Sequence, residues 1–325
     1  MASKTDSARV RAELVEAVGE GDETRARALV RELNAQPRRA RPLLEAMLDH
    51  EDARVRQAGA FGLGALGGTA SARRLEKQLE VEEARGGYDA ASVIEVITES
   101  LGHIADISAR GGLLRRLDRL TGPRVSPSDV NTLARALWRR RHPELRPAVQ
   151  RALERLPPAA AASLRGLWVL LEKSPARLRA WAEDVRVPVV LKAEVLPVLE
   201  EEVPEELVSV LPAFISVARA QAPSAVPQLR GDALSFCERL FILLMLDDKR
   251  LLTALPGDAK EQLRETARTL VAAKSLRCAL WAATVLQYVG QPEDVLLLEV
   301  HRPEDATFAE VFDRTIQHLR RTLSR

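Results

Sequence analysis

The chain has 325 residues, 46% of them hydrophobic and only 4% aromatic, enough apolar material for two ordinary domains or one elongated one. Ala, Leu, Arg and Glu dominate, a helix-forming mix that points away from sheets. A formal net charge of +2 is too small to argue by itself for a nucleic-acid or membrane partner, and the most apolar run, LFILLML, is far shorter than the ~20 residues of a membrane span. All but seven of the 48 basic residues are arginine, which keeps its charge and offers a planar fork to carboxylate or phosphate. A GC-rich genome would leave the same bias.

From the N-terminus, apolar positions at helical spacing predict helices over 5–18, 22–35 and 38–49, read together as capping helices in residues 1–49. The opening MASKTDSARVRAEL has no apolar signal region, so a cytoplasmic location is expected. In LDHEDARV, Asp52 is expected to cap the next helix, 53–67. That helix contains Gly62-Leu-Gly64-Ala-Leu-Gly67, a literal match to the dinucleotide fingerprint Gly-x-Gly-x-x-Gly. The fingerprint needs a strand before it and a βαβ context after it. Here the preceding residues have helical character, and TASARRLEKQLEVEEARGG reads as one charged helix, 70–84. The glycines are therefore expected to serve packing: Gly59, Ala60 and Gly64 to let a neighbouring helix approach, and Gly67-Gly68 to end the helix in a left-handed turn.

Helices follow over 89–105, 108–120, 127–141 and 143–156. Shifting the chain by 38 residues lays Val55 on Val93, Leu63-Gly64 on Leu101-Gly102, Leu66 on Ile104, Leu75 on Leu113 and Leu79 on Leu117. A further shift of 36 carries Leu101 to Leu137, Leu113 to Val149 and Leu117 to Leu153, with Trp138 where the glycine was. A period in this range is the signature of a helical solenoid. The remaining helices are expected at 159–174, 175–185, 188–202, 204–221, 224–247, 258–274, 275–290, 292–301 and 304–323. Cys237 and Cys278 sit in apolar helical runs without a CxxC partner and read as buried thiols. The last helix carries Phe308, Val311, Phe312, Ile316, Leu319 and Leu323 on one face, with Thr307 and Glu310 as a capping box. It is expected to close the terminal repeat, or else to dimerise.

DARVRQAGAFGLGALG resembles the first helix of a HEAT repeat, in the bacterial bilin-lyase HEAT-like variety. The frame returns in CALWAATVLQYVGQPEDVLLL at Ala282, Ala283, Leu286, Val289, Gly290 and Pro292. The resemblance implies an all-α fold, an α-solenoid of antiparallel helical hairpins running through residues 1–325. Its clearest repeats lie in 50–157, degenerate ones in 158–274, and a C-terminal repeat with its capping helix in 275–325. It does not imply an activity. The bilin lyases for which the repeat is named need a pigment cleft with a placed acid and nucleophile or base, and no such set stands out. The di-iron enzymes resembling deoxyhypusine hydroxylase use His-Glu dyads on successive repeats, whereas only His50-Glu51 has that form here. His50, His103, His142, His301 and His318 are scattered, so no metal site is expected. The alkylated-base DNA glycosylases of HEAT-like architecture use aromatic residues and an acid beside a basic groove. Trp181 and Asp184, at i and i+3 on one expected helix face, are the matching pair, with Trp138, Trp168 and Trp281 elsewhere.

Charge placement is the remaining positive feature. Between Arg110 and Arg155 twelve arginines face Asp118, Asp129, Glu144 and Glu154, a local net of +8. In the repeat frame Lys77, Arg115 and Arg151 are equivalent, as are Arg119 and Arg155, and at ~100° per residue they point away from the core positions of each second helix. They are expected to form a ladder, on the concave side if second helices line it. Residues 183–206 carry Glu183, Asp184, Glu194, Glu200, Glu201, Glu202, Glu205 and Glu206 against Arg186 and Lys192, so an electrically polar superhelix is expected. The functional expectation is a non-enzymatic scaffold or adaptor that binds a protein partner, an acidic or phosphorylated segment, through Lys77, Arg115, Arg119, Arg151 and Arg155. No catalytic residue, metal or cofactor is assigned. The alternative is DNA binding of the alkylated-base glycosylase type.

Overall fold

The computed structural model describes residues 4–35, 37–122, 125–226 and 231–322, which form helices and no strand. The all-α expectation holds. The chain divides into two compact units, Met1–Leu164 and Arg165–Arg325.

The first unit holds α1 (Lys4–Gly19), α2 (Glu23–Asn34), α3 (Pro37–Leu48), α4 (Ala53–Leu66), α5 (Gly68–Arg85), α6 (Gly87–His103), α7 (Ile107–Arg119), α8 (Pro127–Arg139) and α9 (Leu145–Arg155). From α4 onward these are stacked hairpins: α4, α6 and α8 pack in sequence as one layer and α5, α7 and α9 as the other. Caps fix where helices begin. Asp52 accepts from the Arg54 amide at 2.8 Å, Asp106 from that of Ser108 at 2.9 Å and Ser126 from that of Ser128 at 3.2 Å, each satisfying an otherwise orphan donor. Leu63, Leu75, Leu79, Leu101, Leu113, Leu117 and Leu137 are fully buried, as the 38-residue frame requires. In the third copy Leu153 is only half-buried, and Val149, Ala152 and Leu156 take the core positions. The register itself is kept, since Leu145, Ala148, Val149 and Ala152 are buried on α9 where Ala109, Gly112, Leu113 and Arg116 are buried on α7.

Gly62 and Gly64 lie inside α4 with no strand before them, which removes the dinucleotide reading. A Cβ on Gly102 would sit 2.9 Å from Ala136 Cα of α8, so α6 meets α8 through a glycine just as α4 meets α6. Gly67, the single link between α4 and α5, has φ +73° but ψ −172°. Positive φ is thus present as expected, yet the link is an extended, mirror-β conformation rather than the left-handed helical turn.

The unit boundary falls within α10 (Ala162–Glu172). The second unit continues with α11 (Pro175–Glu183), α12 (Val189–Ala193), α13 (Leu196–Leu199), α14 (Glu205–Val208), α15 (Leu211–Ala225), α16 (Gly231–Leu246), α17 (Asp248–Ala254), α18 (Gly257–Val271), α19 (Leu276–Val289), α20 (Asp294–Val300) and α21 (Ala306–Thr322). Two layers recur, with α11, α15, α18 and α20 packing in one and α12–α13, α16, α19 and α21 in the other. Boundaries depart from expectation where prolines cluster. The expected helix 188–202 is split into α12 and α13, with Pro197 in the first turn of α13, where its missing N–H is harmless. The expected helix 204–221 is split into α14 and α15. α15 runs through Pro223 to Ala225, past the predicted break. The short α17 is absent from the expected set because seven residues are too few to show a helical period.

Cys237 and Cys278 are buried free thiols, as expected. The α21 N-terminus is a correction. Asp305, rather than Thr307 with Glu310, caps the helix, accepting from the Thr307 amide at 2.9 Å and the Phe308 amide at 3.3 Å. Phe312, Thr315, Ile316 and Leu319 face inward while Phe308 is exposed, and Leu323 lies outside the described residues.

Candidate functional site

The five expected site residues lie on the stacked second helices of the first unit: Lys77 on α5, Arg115 and Arg119 on α7, Arg151 and Arg155 on α9. What surrounds them is a ladder of ion pairs. Glu76 of α5 takes the Arg115 fork through Nε and, at 2.7 Å, through Nη2, and this bond raises the guanidinium above its ordinary pKa. Arg119 Nε donates to Glu83 at 2.7 Å, and its Nη1 lies 3.6 Å from Glu80. On the next rung, Arg151 and Arg155 approach one carboxylate, Asp118 of α7, at 3.9 and 3.7 Å, beyond good hydrogen-bond reach. Arg155 also donates weakly to the Leu117 carbonyl at 3.4 Å. Lys77 is exposed, and among the described residues it makes no ion pair. Arg115 and Arg151 each keep 56% of their side-chain exposure.

Beneath this face lie charges that the repeat frame does not reveal. Arg56 of α4 and Glu82 of α5 are both buried, with Arg56 Nε 2.9 Å from Glu82 Oε1. Arg56 Nη1 also donates to the carbonyls of His50 and Glu51 at 3.0 and 2.6 Å, and Gln78 donates to Glu82 at 2.8 Å. This network ties the hairpin to the turn before it. Arg116, one residue from the ladder's Arg115, points the opposite way, inward. It donates to Thr98 Oγ1 and, at 3.3 Å, to the Ile94 carbonyl. Burial pushes its pKa down, with Asp129 opposing.

In the second unit the acidic segment is likewise laced by arginines: Glu194 by Arg165 at 2.9 Å, Glu200 by Arg239 at 3.2 Å and Glu205 by Arg250 at 3.3 Å. Asp184 does not share a helix face with Trp181. It stands one residue past α11, with φ −66° and ψ 112°, and Arg186 binds both carboxylate oxygens. Hydrogen bonds from the Arg186 side chain and amide hold its carboxyl down at about 2, a weak base. Trp138 is buried beneath Arg141, whose guanidinium carbon lies 4.9 Å from the ring centroid; Trp168, Trp181 and Trp281 are half-buried. His50 Nδ1 accepts from the Asp52 amide at 3.0 Å, and His103 Nδ1 lies 2.6 Å from Arg139 Nη1. Among the described residues no three His, Cys, Asp or Glu side chains are grouped to hold a metal ion, and no helix is long and apolar enough to cross a membrane.

No protein-family model matches the chain, and no curated protein matches it. Among solved structures, the complex of CpcE and CpcF of phycocyanin lyase from Nostoc sp. PCC7120 is similar at 16% identity. The match covers 86% of this chain and 94% of that one, with a TM-score of 0.34. The expectation of a non-enzymatic chain is withdrawn on this finding, because the matched structure is that of a lyase. At this TM-score the likeness assigns no reaction to the chain. Nor does it carry the HEAT-like resemblance beyond a protein of stacked helical hairpins, which the helix packing itself establishes.

Proposed function

We propose that the chain binds a protein partner, and that the face of α5, α7 and α9 receives an acidic or phosphorylated segment of it through Lys77, Arg115, Arg119, Arg151 and Arg155. The observation that carries this reading is the loose rung at α9, where two guanidiniums share the single Asp118 at 3.7–3.9 Å. Arginine presents five donors in a rigid fork suited to bidentate capture of carboxylate or phosphate, and a half-exposed fork without a tight partner retains that capacity.

The test uses two fluorescent peptides, one of glutamate repeats and one in which phosphoserines are interspersed, titrated with the full chain at low and high salt. Binding that weakens with salt, and that falls about tenfold or more in the Arg115→Glu, Arg151→Glu double variant while its circular dichroism is unchanged, supports the reading. Equal binding by the double variant overturns it. Glu76→Gln and Glu83→Gln free the forks of Arg115 and Arg119, and the reading requires that they strengthen peptide binding.

A further inference from the structure

A cavity of about 300 Å³ opens in the second unit between the turn after α11, the start of α12 and one face of α15. Val187, Pro188, Val189, Ala213, Val217 and Ala220 supply the apolar part of its wall, and polar groups the rest. Lys192 of α12 lines it as well, with 4% of its exposure remaining. Its ammonium has three donors, and one of them reaches the Asp184 backbone carbonyl at 3.0 Å. The Asp184 carboxylate is committed elsewhere, to Arg186 at 2.8–3.3 Å. Among the described residues no carboxylate stands within ion-pair distance of Lys192 Nζ. A buried ammonium without a counter-ion is expensive to keep, and burial accordingly holds this one below the ordinary lysine range, with the Asp184 charge opposing. A buried cation without a carboxylate partner, in the wall of a cavity that is part apolar, is the arrangement that an amphipathic anionic ligand completes.

We propose that this cavity is a binding site for a short aliphatic monocarboxylate, whose carboxyl group supplies the counter-ion that Lys192 lacks. The volume equals roughly ten water-sized shares of ~30 Å³, which a chain of about six carbons fills. Ser216 and Gln221 add polar groups to the lining that orient the head. The exposed Glu183 also borders the cavity, so a second ligand carboxylate would meet like charge. The 94% exposed Val185 beside it gains cover from an apolar tail.

The experiment is calorimetric titration of the full chain with hexanoate, 1-hexanol and adipate. Hexanoate is expected to bind, and the uncharged alcohol and the dicarboxylate to bind at least about tenfold more weakly, the worth of one charge-assisted hydrogen bond. Lys192→Met is expected to lose hexanoate binding by the same factor. Ala220→Phe fills the cavity from an exposed position on α15 while keeping Lys192, and is expected to abolish binding even if Lys192→Met does not fold. Hexanoate binding that persists undiminished in Ala220→Phe or in folded Lys192→Met overturns the proposal. So does adipate binding as tightly as hexanoate, or no heat from hexanoate at all.

Discussion

A Cβ placed on Gly64 would lie 2.6 Å from the Cβ of Ser100, so α4 and α6 touch at this point with no room for a methyl group. In an open helix Gly→Ala gains roughly 1 kcal/mol. Here the clash falls on Ser100 Cβ and Cα rather than on the end of a flexible side chain, and the helices must separate. Gly64→Ala is expected to lower the denaturant midpoint, with a net loss of roughly 1–3 kcal/mol. Adding Ser100→Gly should recover part of it.

The buried pair Arg56 and Glu82 predicts a strongly non-additive result. Glu82→Met leaves a guanidinium buried without its carboxylate, a loss of roughly 3–5 kcal/mol. Replacing both partners by methionine removes both desolvation costs, so the double variant is expected to be more stable than the worse single one. A double-mutant cycle read by urea unfolding measures the difference.

Acid should find Asp294. Burial pushes its carboxyl up, but hydrogen bonds from Arg264 and the Gln291 amide, with the charges of Arg264 and Arg268, outweigh burial and hold it below the ordinary 3.8. A carboxyl depressed in the folded state contributes stability above its unfolded pKa and loses that contribution as pH falls through the folded one. Thermal unfolding should therefore shift downward as pH drops below about 4. Asp294→Asn is expected to be less stable at neutral pH and to show a flatter acid limb, whereas equal slopes would assign the acid sensitivity to other groups.

The two thiols should be silent until the second unit opens. Burial pushes Cys278 up to about 12 and Cys237 higher still, and the thiolate is the reactive form. A colorimetric thiol reagent at pH 8 is expected to find no reactive cysteine in the native chain and both in denaturant. Rapid native labelling would show that α16 and α19 separate readily.

The frame of the first unit was legible because its repeat writes the same buried positions again and again: Leu75 and Leu79 return as Leu113 and Leu117, all fully buried. Legibility failed where the signal is not periodic. Leu153 inherited its expected place by extrapolating a shift, and although its neighbours on α9 keep that register this position is only half-buried. Asp184 fell outside α11 because its side chain and the Arg186 amide close a turn at 2.9 Å, a local competitor that helical spacing cannot register. The arginine column was visible, whereas its partners were not. Glu76 and Arg115 are 39 residues apart, and only the stacking of α5 on α7 makes them neighbours. Lys192 carried no signal at all, since nothing in its surrounding sequence marks it as buried.

In each rung of the ladder the acid belongs to the earlier helix and the guanidinium to the later one: Glu76 before Arg115, Glu83 before Arg119, Asp118 before Arg151 and Arg155. A growing chain therefore presents these ladder carboxylates before the arginines that will hold them. Stacked repeats gain stability chiefly from their nearest neighbours, and synthesis delivers them in order from the N-terminus. Along this ladder α7 and α9 each meet carboxylates already in place on the preceding helix, and these rungs can close like a zip in the direction of translation.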